Sequence, residues 1–417
     1  LDYLPLNASG KLDIRALPAP EISGEGDYRA PVTENEKMIA SLFEELTGAK
    51  RVGLDDKFFN LGGDSISAIR LVSRARALNA HLTVRTIFEH PSVQALASQI
   101  QIRDTQIIIP RPDAGWIGLT PLQTQFLDLS GSIKQFNQAT MLVVPEGFSL
   151  DQVHNALSQL IAHHDALRVK LVDTETRRDL YLQDQAPALV IETVDLSAQD
   201  ENAQAASIDA LSAALSARLD PYAGQMLAAT LVTTSRSPGA RNKLLLAIHH
   251  FVVDGVSWRI LFEDLEHLRL QGKLPGRTNS VRDWAQALKQ QSLSRVVEFD
   301  AWRDTLIGAQ ALGVDAVVSE NENRSGDAVH YVSHISHAFA QSLGEVTRNY
   351  HTGMDEVLLA ALGLALTDWQ KSRFGYVPEP LLIDLESHGR QSDSTELDIT
   401  HTVGWFTSVY PVRLDAS

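Results

Sequence analysis

The sequence predicts a multidomain protein: a small all-α bundle at residues 33–100 and a large α/β unit at 116–417. Three observations predict that division. Residues 18–32 combine prolines and glycines with few large apolar side chains, the composition of an extended linker, here bounded at 21–32. Pro110 and Pro112, in the run ending at Gly115, break helix and mark a second linker over 101–115. Between the linkers the pattern is helical, whereas helix and strand patterns mix from Trp116 onward without comparable interruption. At ~150 residues per domain the length allows two or three domains. No repeat of solenoid period is present.

Composition narrows the function classes. The formal charge is 36 − 52 = −16, which disfavours nucleic acid and anionic membranes as partners. Eight acidic and eight basic residues balance between positions 31 and 100, so the acidity lies mostly in the large unit. No charge-free apolar run reaches the ~18 residues of a membrane span, and no signal peptide opens the chain. With no cysteine, a disulfide scaffold, thiolate metal sites and a Cys nucleophile are excluded, which fits a reducing cytoplasm. The chain begins at Leu1, in sequence that reads as the interior of something longer, and is expected to be an excerpt.

The bundle's elements follow in order. Thr33 with Glu36 forms a capping box, Ile39, Leu42, Phe43 and Leu46 fall on one helical face, and Gly48 supplies the stop. After a loop, Asp64 stands at an N-cap position, and Ile66, Ile69 and Val72 begin a second helix. Two glycines precede it, so Ser65 falls in its first turn. A phosphodiester there would meet unpaired N–H groups and the positive end of the helix dipole; alternatively Ser65 merely helps to cap the helix.

In the large unit, Ser149 with Gln152 caps a helix whose apolar stripe is Val153, Leu157, Leu160 and Ile161. His163-His164 closes that helix, where imidazoles suit the dipole, and reads as structural. His249-His250 instead ends a strand-like run, Leu244 to Ile248, and leads to Asp254-Gly255. Strand ends are where chemistry is commonly held, and Asp254 could orient an imidazole or pin the loop. A satisfied histidine at a sheet edge competes with that reading. A metal site does so less well, because adjacent strand residues point to opposite faces. A second strand, Leu381 to Leu385, leads into Glu386-Ser387-His388-Gly389-Arg390. A glutamate leaving a buried strand into a cavity would be desolvated and its pKa raised. Alternatively Glu386 pairs with Arg390 at the surface, or His388 is the active group.

The run from Asp55 to Ile66, with Phe58-Phe59, Leu61-Gly62-Gly63 and Asp64-Ser65, resembles the peptidyl carrier protein of nonribosomal peptide synthetases. Ser65 matches the serine that receives 4′-phosphopantetheine, and Asp64 resembles carriers placed upstream of epimerization domains. Residues 1–20, with Leu4-Pro5-Leu6-Asn7 and Gly10-Lys11, look like an adenylation-domain tail, in which Lys11 lacks its nucleotide pocket. His249-His250-Phe251-Val252-Val253-Asp254-Gly255 resembles the HHxxxDG motif of condensation and epimerization domains; the family's catalytic histidine falls on His250 and its structural aspartate on Asp254. Glu386 to Arg390 matches the epimerization motif Glu-Gly-His-Gly-Arg, with Ser387 replacing glycine, and places that motif's essential glutamate at Glu386. Gly255 to Trp258, Asp355 to Leu366 (the family's buried helix), Thr402 to Thr407 and Pro121-Leu122-Gln123 match further motifs. His401 stands where Arg is common, and Gln125 where Trp is usual.

The resemblance implies a four-helix carrier bundle and a two-lobed chloramphenicol-acetyltransferase-like domain with a tunnel between the lobes. His250 falls in a first lobe of about 116–275, and Glu386 in a second of about 276–417. Two further family motifs lie beyond residue 417, so the second lobe is expected to be incomplete. The implied activity inverts the Cα of an aminoacyl or peptidyl thioester held on Ser65, with Glu386 and His250 on its two faces and no metal. Implied partners are an upstream adenylation domain, a downstream condensation domain and a phosphopantetheinyl transferase. The rivals are a condensation domain with His250 as base and a non-catalytic carrier or docking module.

Overall fold

The structure, a computed structural model, describes residues 28–102, 112–129, 131–237, 239–308, 325–350, 352–375, 381–391 and 397–414. The adenylation-like tail with Lys11, and much of both linkers, lie outside those residues. The chain divides into two compact units, residues 1–107 and 108–417. No described helix is long and apolar enough to cross a membrane.

The first unit is the predicted bundle: α1 (Glu34–Thr47), α2 (Ser65–Ala77), α3 (Val84–Glu89) and α4 (Val93–Gln99). A short antiparallel pair, β1 (Ala80–His81) with β2 (Gln101–Ile102), closes it. The Thr33–Glu36 capping box is formed, and Gly48 ends α1 in the left-handed conformation that favours glycine. Ile39, Phe43, Phe58, Leu71, Ile87 and Leu96 are fully buried, and the Phe43 and Phe58 rings lie 4.9 Å apart.

The second unit mixes helices with small sheets. It opens with β3 (Gly115–Trp116), α5 (Pro121–Leu127), β4 (Asn137–Val143), α6 (Leu150–His163), β5 (Val169–Asp173) and β6 (Arg178–Leu182). Then come β7 (Ile191–Asp195), α7 (Glu201–Ala217), β8 (Leu227–Thr233), β9 (Lys243–His249) and α8 (Gly255–Gln271). Helices α9 (Val281–Ser294), α10 (Phe299–Leu306), α11 (His337–Tyr350) and α12 (Met354–Phe374) precede β10 (Leu381–Ser387) and β11 (Ser408–Leu414). The main sheet runs β4-β9-β8-β7, antiparallel except for the parallel β7–β8 pair. Almost every residue of β8 and β9 is buried, so these strands read as continuous apolar runs rather than alternating ones. One face of the sheet packs on α7 through Leu215, Ala228, Val232, Leu245 and Ala247.

Two expectations are corrected here. The helix expected to be buried, Asp355 to Leu366, belongs to α12, yet only Gly363 and Gln370 of α12 are buried, and Leu358, Leu362 and Leu364 are exposed. Its apolar residues lie all round the axis, so burying it requires cover on every side, and the described elements cover only part of it. The strand that carries Glu386 is also not buried: among the described residues β10 pairs only with β11, and Leu381 alone of its residues is buried.

Candidate functional site

In the first unit the loop before α2 explains its two glycines. Gly62 has φ +95°, and a Cβ on Gly63 would lie 2.5 Å from the Phe58 ring and 2.7 Å from the Phe58 carbonyl oxygen. Asp64 then caps α2, accepting from Ser67 N–H at 2.6 Å, while Asp64 N–H donates to Ser67 Oγ at 2.6 Å. With capping done by Asp64 and Ser67, Ser65 is not needed as a cap. Ser65 is half-buried as the first residue of a 13-residue helix, and its hydroxyl makes no hydrogen bond among the described residues. A phosphodiester on that oxygen fits the helix-terminus electrostatics, so Ser65 is the residue that would hold phosphopantetheine.

In the second unit β9 ends at His249, and a single 3₁₀ turn, His250–Val252, leads to α8. The chain leaves the strand between the two imidazoles, and they have different partners. Buried His249 has Nε2 at 2.9 Å from the Ile133 carbonyl and accepts from Phe251 N–H at 3.3 Å, so it fixes the turn. Burial pushes its pKa down to about 4, with the Ile133 bond opposing that and the His250 charge adding to it. His250 stacks nearly parallel on Phe136 at 4.7 Å and lies 4.9 Å from the Trp405 ring. Its Nε2 is 2.9 Å from Gln138 Nε2, and Gln138 Oε1 accepts from Trp258 Nε1–H at 2.8 Å. Buried Gln123 holds the turn from the other side by donating to the Phe251 carbonyl at 3.1 Å.

Asp254 pins rather than orients. It caps α8 by accepting from Ser257 N–H at 2.7 Å, and it takes Arg390 Nη2 at 3.1 and 3.3 Å and Phe406 N–H at 3.1 Å. Ser257 Oγ accepts from Gly404 N–H and Arg390 Nη2, both at 3.0 Å, and donates to the Gly404 carbonyl at 2.8 Å. Arg390 also donates to the Ile399 and Thr402 carbonyls at 3.1 and 2.6 Å, and its guanidinium lies 4.0 Å from the Phe406 ring centroid. The segment that carries Glu386 and the one that carries Trp405 are thereby anchored to the first turn of α8, beside His250.

Arg390 is buried on Asp254, so the surface Glu386–Arg390 pair does not form. Glu386 sits in β10 opposite Val409 with its side chain exposed, and no hydrogen bond or ion pair joins it to another described residue. The expected desolvation into a cavity is therefore absent around it, because β10 carries it on a lightly covered sheet. Ser387 is still a strand residue, opposite Ser408, and fits where the motif has glycine. The position that requires glycine is Gly389, at φ +62°, where a Cβ would collide with the Phe406 carbonyl. His388 accepts from Arg390 N–H at 3.0 Å, and its Nε2 is buried without a partner among the described residues. Burial, and then the Arg390 charge, lower its pKa.

The other histidine pair closes α6 as expected, but for a reason beyond the dipole. His164 donates to Asp264 Oδ2 at 2.8 Å, and His401 donates to Oδ1 at 2.9 Å. Burial opposes ionisation of Asp264, but these two hydrogen bonds outweigh it and hold the carboxyl below its usual range. Burial lowers the pKa of His164 despite Asp264, and pushes that of His163 down to about 4. His163, His164 and Asp264 also form a cluster of metal-ligand types within 4.8 Å, but both Asp264 oxygens are already engaged by imidazoles. Sequence reading did not find Gln138. The available signal was Trp258, whose N–H needs an acceptor when the ring is buried.

The Condensation domain family model matches residues 114–417, and the Phosphopantetheine attachment site model matches 38–100. The chain is 35% identical over 439 aligned residues to surfactin synthase subunit 2 of Bacillus subtilis (strain 168), covering 100% of the chain and 12% of that protein. It is 33% identical over 440 aligned residues to tyrocidine synthase 2 of Brevibacillus parabrevis, again covering 100% of the chain and 12% of that protein. The chain thus spans only 12% of the length of these relatives. Among solved structures it is similar to the epimerization domain from the third module of tyrocidine synthetase B, with TM-score 0.62, 32% identity and coverage of 73% of this chain and 69% of that one. With a condensation-type, chloramphenicol-acetyltransferase-like fold behind a phosphopantetheine carrier bundle, the chain belongs to the condensation-domain family of nonribosomal peptide synthetases.

Proposed function

We propose that the condensation-family unit is an epimerase, which inverts the Cα of an aminoacyl or peptidyl group attached to the carrier at Ser65. When bound there, phosphopantetheine supplies a thiol that carries the acyl group as a thioester, which acidifies its Cα–H. Glu386 accepts the proton from the L face, and the bonding pair moves onto the carbonyl oxygen as an enolate. His250 serves the opposite face, where it stabilises the enolate oxygen or returns a proton. One observation carries the reading. The carboxylate strand and the histidine turn are tied through a single buried ion pair, Asp254–Arg390, four residues after each group. Similarity to a solved epimerization domain supports it.

The match to the condensation family also accommodates peptide-bond formation with His250 as base. Mass spectrometry of the loaded carrier separates the two, because condensation changes the mass on Ser65 and epimerization does not. Chiral analysis of the released acyl group is expected to give the D enantiomer at unchanged mass. A lengthened acyl chain in the presence of a second aminoacyl carrier, with the L configuration retained, would refute the proposal. Adenylation and condensation domains and a phosphopantetheinyl transferase are the proposed partners, and the cytoplasm the proposed compartment.

A further inference from the structure

We infer that Gln138, held by Trp258, is a positioning residue that fixes His250 in its neutral Nδ1–H tautomer and makes that ring nitrogen its hydrogen-bond donor. Donor and acceptor chemistry links three side chains, Trp258, Gln138 and His250. The Trp258 indole has an N–H and no acceptor, so the Gln138 atom 2.8 Å from it must be the carbonyl oxygen. The other end of the amide, 2.9 Å from His250 Nε2, is then the NH₂ group, which can only donate. His250 Nε2 must offer its lone pair, and in a neutral imidazole the proton is left on Nδ1. His250 Nδ1 is buried and has no hydrogen-bond partner among the described residues, so that N–H is uncommitted. The ring cannot tilt freely to exchange the roles, being stacked at 4.7 Å and 8° on Phe136 with Trp405 at 4.9 Å.

The consequence for catalysis rests on the reading of His250 given above; the tautomer itself does not. Of the two roles for His250, the tautomer favours a neutral imidazole whose Nδ1–H, buried in the chain alone, is uncovered by the bound acyl chain and donates a hydrogen bond to the enolate oxygen, while the proton that completes the inversion opposite Glu386 comes from solvent and Glu386 gives its own proton up to solvent. The Gln138 N–H on Nε2 supports the electron density that then accumulates on the ring. A neutral imidazole polarising a carbonyl in this way is established enzyme chemistry. An imidazolium would instead set Nε2–H against the Gln138 NH₂, donor against donor.

The test is ¹⁵N NMR of the histidine-labelled full chain, with His250 assigned by the signals lost in His250→Gln. The wild type is expected to show the proton on Nδ1. Gln138→Glu places an acceptor where the NH₂ was, and is expected to move the proton to Nε2. Trp258→Phe frees the amide to turn over and is expected to give a mixture of tautomers. If either variant disturbs the fold, unchanged His164 and His401 signals identify the one that remains interpretable. A proton on Nε2 in the wild type, or a tautomer indifferent to both variants, overturns the assignment. Cα–H exchange of the loaded carrier is expected to fall by about 10²–10⁴-fold in Gln138→Glu, the range that a positioned acid–base group contributes. A switched tautomer with undiminished exchange overturns the donor role, and if His250→Ala also keeps full exchange, the epimerase reading of His250 falls with it.

Discussion

Asp254 and Arg390 stand 136 positions apart in sequence, yet each is buried and each is the other's counter-ion. Removing one partner of such a pair strands the other charge in the interior, at about 3–5 kcal/mol. Arg390→Leu is therefore expected to destabilise the second unit by that amount in urea denaturation. An unchanged denaturation midpoint for that unit would mean the pair contributes nothing. Histidines give a second prediction at this scale. His163 and His249 have folded pKa values of about 4, below the ordinary 6.5, so the unfolded state binds protons first as pH falls. Their stabilisation is complete above pH ~6.5 and is lost progressively toward pH ~4. The melting temperature of the second unit is expected to fall across that window, and less so in His249→Gln; a flat profile would contradict the assignment. The place of His249 and His250 at a strand end was legible. The partners were not, because Ile133, Gln138 and Trp405 reach them only through the fold.

Among the elements, turns and caps were the most legible, since capping chemistry is local. The Thr33–Glu36 and Ser149–Gln152 boxes and the Gly48 stop all form where the sequence places them. The burial of β10 and α12 was not legible, because it depends on which elements lie against them. The chain just after β10, at Gly389, supplies a prediction at this scale. Gly389→Ala would drive a methyl into the Phe406 carbonyl in a backbone conformation that L side chains rarely adopt. It is expected to release the Arg390 anchor, lowering the melting temperature of the second unit and removing Cα–H exchange activity while the carrier unit melts as before. In contrast, Ser387→Gly restores the family's residue at a strand position and is expected to leave activity within about twofold.

For the whole molecule, a helical carrier bundle followed by a condensation-type fold was legible from pattern and motifs, and the bundle follows its apolar pattern closely. What the sequence could not supply is the long-range connection that links the start of α8 to Arg390, Gly404 and Phe406. The carrier's part in the account is checked by mass: a phosphopantetheinyl transferase should add one phosphopantetheine to the chain and none to Ser65→Ala. Modification of Ser65→Ala would place the attachment elsewhere. The central claim, that a carboxylate and an imidazole act together on one carbon, is tested most directly by loading Ser65 with an L-aminoacyl thioester in deuterated solvent. Deuterium at Cα together with D configuration is predicted for the wild type, with both lost in Glu386→Gln and in His250→Ala. Full exchange in the chain lacking the Glu386 carboxylate would contradict it.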